Sequence, residues 1–310
     1  VKAVVDKLRR NGAEVLVGDN PGVFGYGASE KAAEKSGIKD AAGDCFIHLG
    51  RQPVSKAINT STITDVVLAN DVLQADLVIN LPKLKTHGLT FYTGALKNTF
   101  GYVVGGDKMR IHSQCPTPRQ FAEALVGIYA LRPPELTIMD AIDAMEGNGP
   151  HHGSLRHLGK VLAGRNGICL DAVAVHLIGH DPRSIPHLEM AEKLGLGTID
   201  PAAVETNEKI EPLAAFKMPV TFVPGLLGIV LNRILSRWIN CLPTVRESIY
   251  KQCGLCVKHC PVGAMTMEKG QCPSADKKTC INCYCCQELC PEDAIVLKGR
   301  LLSFIRRSGK

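Results

Sequence analysis

The chain has 310 residues, 45% of them hydrophobic and 21% charged, with a net charge of +6. That is room for about two domains, and the positive excess is too small and scattered to form a nucleic-acid-binding stripe. Nine of the thirteen cysteines fall between positions 253 and 290, which excludes a disulfide framework spread along the chain and points to a reducing, cytoplasmic setting.

The chain opens inside an amphipathic helix (Val1, Val4, Val5, Leu8) with no visible signal peptide. The α/β domain is therefore expected to be N-terminally truncated, its first strand lying upstream. Glu14 to Asp19 reads as a buried strand, followed by a loop with Asn20, Pro21, Gly22, Gly25 and Gly27, and by a helix from Glu30 to Lys35 capped by Ser29. Such a loop suits a phosphate at the helix N-terminus, and plain turn chemistry accounts for its glycines equally well. Cys45 to Leu49 reads as a second short strand, and residues 71–76 lead into a third, Leu77 to Leu81.

The stretch Pro82-Lys83-Leu84-Lys85-Thr86-His87-Gly88, with Gly94-Ala95-Leu96-Lys97-Asn98 after it, reads as a polar loop at the carboxyl end of that strand, where α/β sheets bind ligands. Lys83, Lys85, His87, Lys97 and Asn98 are candidates for holding an anion. The alternative is that the lysines merely solvate a loop. Pro118 to Leu131 reads as an amphipathic helix and Glu135 to Asp140 as a further strand, ending in Asp140, Asp143, Glu146, Asn148, Gly149, Pro150, His151 and His152. These carboxylates and histidines suit a divalent metal or acid–base chemistry, with His87, Asp140 and Glu146 as candidate catalytic residues, or else serve as turn and cap residues. Lys160 to Ala163 is a fourth strand of this region, and Asp171 to His176 a buried helix in which Asp171 is a cap or faces the same cleft. His176 reads as a core histidine. A turn at Asp181-Pro182 and a helix from Pro186 to Leu194 complete the alternation, which predicts a three-layer α/β domain over residues 1–215.

Residues 216–243 form an apolar linker. Val220 to Leu231 is too short and too broken by proline and glycine to span a bilayer. It and the basic tail after Lys298 either pack on the protein or touch a membrane surface peripherally. In the third region, 244–310, Cys280, Cys283, Cys286, Cys290 and Pro291 spell C-x2-C-x2-C-x3-C-P, an iron–sulfur spacing in which three thiolates serve one cluster and the fourth reaches a second. The partner motif is Cys253, Cys256, Cys260 and Pro261. A zinc ribbon also uses paired C-x2-C elements, but it needs neither x3-C-P nor nine cysteines.

The two half-motifs together resemble the bacterial two-cluster ferredoxin module, a small α+β domain with two [4Fe-4S] clusters. The resemblance implies one complete ligand set, Cys280, Cys283, Cys286 and Cys260, and a second, Cys253, Cys256 and Cys290, that lacks a thiolate because Tyr250 stands where a cysteine is expected. That second cluster is either [3Fe-4S] or completed by another ligand, with Cys272 and Cys241 on offer. Cys285 is surplus and reads as a small thiol beside the cluster.

Leu81-Pro82-Lys83-Leu84-Lys85-Thr86-His87, Gly94 to Asn98 with Phe100-Gly101, and Met145-Glu146-Gly147-Asn148-Gly149-Pro150 resemble the family called domain of unknown function 362, often fused to a ferredoxin module. The resemblance implies iron–sulfur binding and an α/β domain of unassigned chemistry. The expected function is electron transfer through the clusters to a partner protein or to a small-molecule acceptor on the α/β domain. Two alternatives stand beside it: an oxidoreductase or other enzyme acting on an anionic small molecule, and a cluster-based sensory or binding module.

Overall fold

The computed structural model describes residues 1–20, 28–150, 152–213, 215–222, 242–268 and 270–298. The glycine loop after Asn20, His151, Cys241, most of the apolar linker and the basic tail lie outside them.

The chain forms a mixed α/β structure. Helices α1 (Lys2–Arg10), α2 (Ala28–Lys35) and α3 (Ile38–Ala42) come first, then the antiparallel pair β1 (Pro53–Ala57) and β2 (Asp65–Ala69), and α4 (Asn70–Gln74). The main sheet uses β3 (Ile79–Asn80), β4 (Lys83–His87), β5 (Phe91–Thr93), β6 (Leu136–Glu146) and β7 (Ser154–Gly164). Strands β3 and β4 both run parallel to β6, β5 turns back antiparallel on β4, and β7 pairs antiparallel along the other side of β6.

Around the sheet lie α5 (Ala95–Asn98), α6 (Asp107–Gln114), α7 (Pro118–Leu131), α8 (Gly167–Leu177) and α9 (Pro186–Lys193). Helix α7 starts where its sequence says. The Thr117 hydroxyl accepts from the Gln120 N–H, Gln120 reaches back to Thr117, and Pro118 fills the first helical position, where its missing N–H costs nothing. Its apolar face buries Phe121, Leu125 and Ile128, each worth about 1.5–3 kcal/mol on leaving water.

Four expected elements differ. Glu14 to Asp19 is not a buried strand: one parallel bridge joins Val17 to Phe46, and Leu16 is 51% exposed. Cys45 to Leu49 is likewise a bridge between two short 3-10 turns. Lys83 to His87 is a strand rather than a loop, because alternation places Leu84 and Thr86 in the core while backbone pairing to β6 satisfies the polar chain. By the same pairing Asp140, Asp143 and Glu146 belong to the long β6–β7 ribbon, whose Ile142, Leu155 and Val161 side chains are exposed.

The cysteine-rich stretch is built on β8 (Leu242–Val245) paired with β11 (Ile295–Lys298), and β9 (Met265–Thr266) paired with β10 (Ser274–Ala275), with short helices Leu255–Lys258 and Cys285–Glu288. Tyr284 and Leu297 share the main hydrophobic core with Leu84, Tyr92 and Phe222. Among the described residues no helix is long and apolar enough to cross a membrane.

Candidate functional site

The cysteine-rich stretch repeats itself in three dimensions at a thirty-residue offset. Gln252 and Asn282 have φ of 53° and 52°, Gly254 and Tyr284 of 65° and 62°, and Gly263 and Asp293 of 64° and 58°. Left-handed backbone at a non-glycine residue costs about 1–2 kcal/mol, so its recurrence at Asn282, Tyr284 and Asp293 marks loops shaped for a purpose. In each half the short helix follows, and then an amide turns onto the last sulfur: the Ala264 N–H donates to Cys260 Sγ at 3.2 Å, and the Ala294 N–H to Cys290 Sγ at 3.3 Å.

Four of the cysteines line one cleft. Cys260 from the first half and Cys280, Cys283 and Cys286 from the second line it together with Pro243, Pro261, Met265 and Tyr284. Burial pushes the Cys286 thiol well above its ordinary range, and the charges of Cys283, Cys280, Cys256 and Cys260 push it further. Thiols that raise one another's pKa stay protonated alone and ionise together when a multivalent cation enters. Cys283 is lowered instead, by a hydrogen bond from Cys285, which gives that surplus thiol a place beside the set.

A second set crosses the halves the other way. Burial raises Cys256, and both Cys253 and the distant Cys290 add to the rise. Burial raises the Tyr250 hydroxyl, and the charges of Cys256, Cys253, Cys272 and Cys290 raise it further. No three His, Cys, Asp or Glu side chains among the described residues gather as a single ion requires. An all-sulfur donor set suits soft metals and iron–sulfur clusters.

The polar motifs of the α/β part converge on this region. His87, buried at the end of β4, accepts the Leu89 N–H on Nδ1 at 3.0 Å, so that Nε2 carries the proton; Nε2 lies 3.2 Å from Glu288 Oε1. Burial raises Glu288 to about 6 against the opposing charges of Lys97 and Lys85. Burial lowers Lys97 to about 8, with Glu288 as the main opposing influence, and lowers Lys85 as well. The carboxylate between Cys286 and Cys290 thus sits among three basic groups.

Asp171 fixes where Lys97 stands. Its carboxylate accepts the Ala95 and Leu96 N–H groups at 2.6 and 2.9 Å and the Tyr92 hydroxyl at 3.0 Å, capping α5 from α8. Burial raises it to about 7. A Cβ at Gly94 would lie 2.1 Å from Asp171 Oδ1, so only glycine lets the cap close.

The β4–β5 turn packs directly on the cysteine loop, where a Cβ at Gly88 would meet the Tyr284 ring at 3.2 Å. The Gly88 N–H donates to the Gly149 carbonyl at 3.1 Å, and its own carbonyl accepts from the Thr221 hydroxyl at 2.6 Å. His152 contacts the Gln287 carbonyl through Nε2 at 2.6 Å and the Asp293 carboxylate through Nδ1.

Of the five anion candidates, Lys85, His87 and Lys97 therefore share a site. Lys83 pairs instead with Asp140 at 2.8 Å, both half exposed. Asn98 donates to Asn80, which donates to the Ala95 carbonyl, a structural chain at the start of α5. The three catalytic candidates have different partners: Asp140 holds Lys83, His87 faces Glu288, and buried Glu146 accepts the Lys217 N–H at 3.2 Å. The residues that sequence reasoning missed are Glu288 and Tyr284, which lie in the gaps between cysteines and take partners far along the chain.

The family model of a domain of unknown function, 362, matches residues 1–176, more than half of the chain. A thylakoid-associated protein of Synechocystis sp. is 33% identical over 211 residues, which is 66% of this chain and 63% of that protein. The chain thus spans less than two thirds of that relative's length.

Proposed function

Because the chain belongs to the domain of unknown function 362 family, whose name assigns no chemistry, we propose from its own residues that it is a two-cluster iron–sulfur electron carrier built on a ferredoxin-like module. One observation carries the reading: Cys260, Cys280, Cys283 and Cys286, brought together from both halves of a structural repeat, line a single cleft. When bound, the two [4Fe-4S] clusters supply one-electron chemistry at potentials set by cluster charge, hydrogen bonds and burial.

The remaining residues position and tune. The amides of Ala264 and Ala294 and the thiol of Cys285 direct donors at Cys260, Cys290 and Cys283, stabilising negative charge on sulfur. Lys97, whose pKa also responds to Cys285, holds a positive charge beside the Cys283–Cys286 loop, which favours the more negative, reduced state. Tyr284 on Gly88 and His152 on Gln287 and Asp293 dock the module so that electrons exchange towards the α/β part. The candidate site there is the group of basic side chains, His87, Lys85 and Lys97, that acts on Glu288. An anionic acceptor would bind by replacing the Glu288 carboxylate.

The test is a pair of variants in the full chain. Cys283→Ser is expected to remove iron and acid-labile sulfide from one site and Cys256→Ser from the other, each losing roughly half and the double variant all. Metal content that the double variant leaves unchanged would overturn the reading.

A further inference from the structure

We infer that Cys272 supplies the fourth thiolate of the set with Cys253, Cys256 and Cys290, in place of the residue that the repeat puts at Tyr250. The inference rests on the cluster reading above and adds one ligand to it.

The repeat itself exposes the gap. At the thirty-residue offset that matches Gln252 to Asn282, Gly254 to Tyr284 and Gly263 to Asp293, Tyr250 falls opposite Cys280. The second half thus brings three thiols to its cleft and receives Cys260, while the first half brings Cys253 and Cys256 and receives Cys290, which packs against the same small core as Cys256. A cubane needs four protein ligands, and three leave one iron bare.

What fills the position is the hairpin between β9 and β10. Its strands are only two residues long, and its tip holds both Met267 and Cys272. The Tyr250 hydroxyl donates to Met267 Sδ at 2.7 Å. Met267 Cε in turn lies 3.8 Å from where a Cβ of Gly254 would stand, over the loop between Cys253 and Cys256. The tip closes on itself through the Gln271 N–H to the Glu268 carbonyl at 3.0 Å, which keeps Cys272 next to that contact. Cys272 is half-buried and lies two residues before Ser274, which pairs with Thr266, the neighbour of Met267.

Of the other described thiols, Cys285 hydrogen-bonds to Cys283, Cys115 contacts the Thr62 hydroxyl at 3.1 Å, Cys45 is buried near the bridge between Val17 and Phe46, and Cys169 lies on α8. Tyr250, engaged with the methionine sulfur, braces the hairpin that delivers the cysteine.

The experiment is iron and acid-labile sulfide analysis with electron paramagnetic resonance on anaerobically purified full-length chain. Wild type is expected to hold about eight irons, and Cys272→Ser about seven, with a new oxidised three-iron signal. Tyr250→Cys in the wild-type background is expected to leave the iron content unchanged, and Tyr250→Cys with Cys272→Ser to return it to about eight. This double variant also keeps the test decisive if the single serine variant fails to fold. A Cys272→Ser protein with full iron and no three-iron signal would overturn the inference, as would a wild type already short of one iron that Tyr250→Cys alone completes. Absence of iron and sulfide from the wild type would instead overturn the cluster reading on which the inference rests.

Discussion

Glu288 Oε1 stands 3.2 Å from His87 Nε2, so the turn between Cys286 and Cys290 is tied to the end of β4 by a carboxylate held among basic side chains. Lys97 and Lys85 act on the same carboxylate. This contact joins the stretch that gathers the thiols to the stretch in which the sequence suggests an anion site, and it turns two separate motifs into one site.

Opposite changes of charge here should move the cluster potential in opposite directions. Glu288→Gln removes a negative charge beside the Cys283–Cys286 loop and is expected to raise the midpoint potential. Lys97→Met removes a positive one and is expected to lower it. Each shift should be on the order of tens of millivolts, the size of one partly screened charge at an effective dielectric near 20. A potentiometric titration followed by electron paramagnetic resonance measures both. Shifts of the same sign would contradict the assigned geometry.

Asp171 should leave a mark on stability against pH. Its folded pKa is raised from 3.8 to about 7 by burial, so between these values the folded chain holds a proton that the unfolded chain has lost. Its stabilising contribution is complete below pH 3.8 and is lost as pH rises towards 7. Asp171→Asn is expected to flatten that part of the urea-unfolding profile. It should also cost about 1–3 kcal/mol, because an amide cannot accept all three bonds from Ala95, Leu96 and Tyr92. An unchanged slope between pH 4 and 7 would count against the role of this carboxyl.

Gly88 and Gly94 separate docking from folding. Gly94→Ala would drive a Cβ to 2.1 Å from Asp171 Oδ1, and a loss of at least about 2 kcal/mol is expected from breaking the buried cap. Gly88→Val forces the Tyr284 ring away from the β4–β5 turn, where contact is already tight at 3.2 Å. It is expected to leave the iron content of anaerobic protein intact while making cluster loss in air several-fold faster. Equal loss rates in the variant and wild type would show that this packing does not shield the thiol loop.

The parts legible in the sequence are those fixed by near neighbours. The cysteine spacing is local, and so are the Thr117 and Gln120 capping pair and the Pro118 start of α7, which the structure shows from Pro118 to Leu131. Lys83 to His87 read as a loop because proline and charge outweighed the alternation of Leu84 and Thr86, and only pairing with β6 settles such a stretch as a strand. Glu288 was invisible as a site residue. A lone acid between two cysteines carries no signal until the fold brings His87, Lys85 and Lys97 to it. The same holds for Asp171, read as a cap or a cleft residue, which caps a helix other than its own.

The central claim is tested most directly by iron and acid-labile sulfide content, with electron paramagnetic resonance before and after dithionite, on anaerobically purified full-length chain. The account expects about eight irons with matching sulfide, and a signal on reduction from clusters that take up one electron each. Zinc without sulfide, bound by the same cysteines, would contradict it and leave the α/β part as the place to look for function.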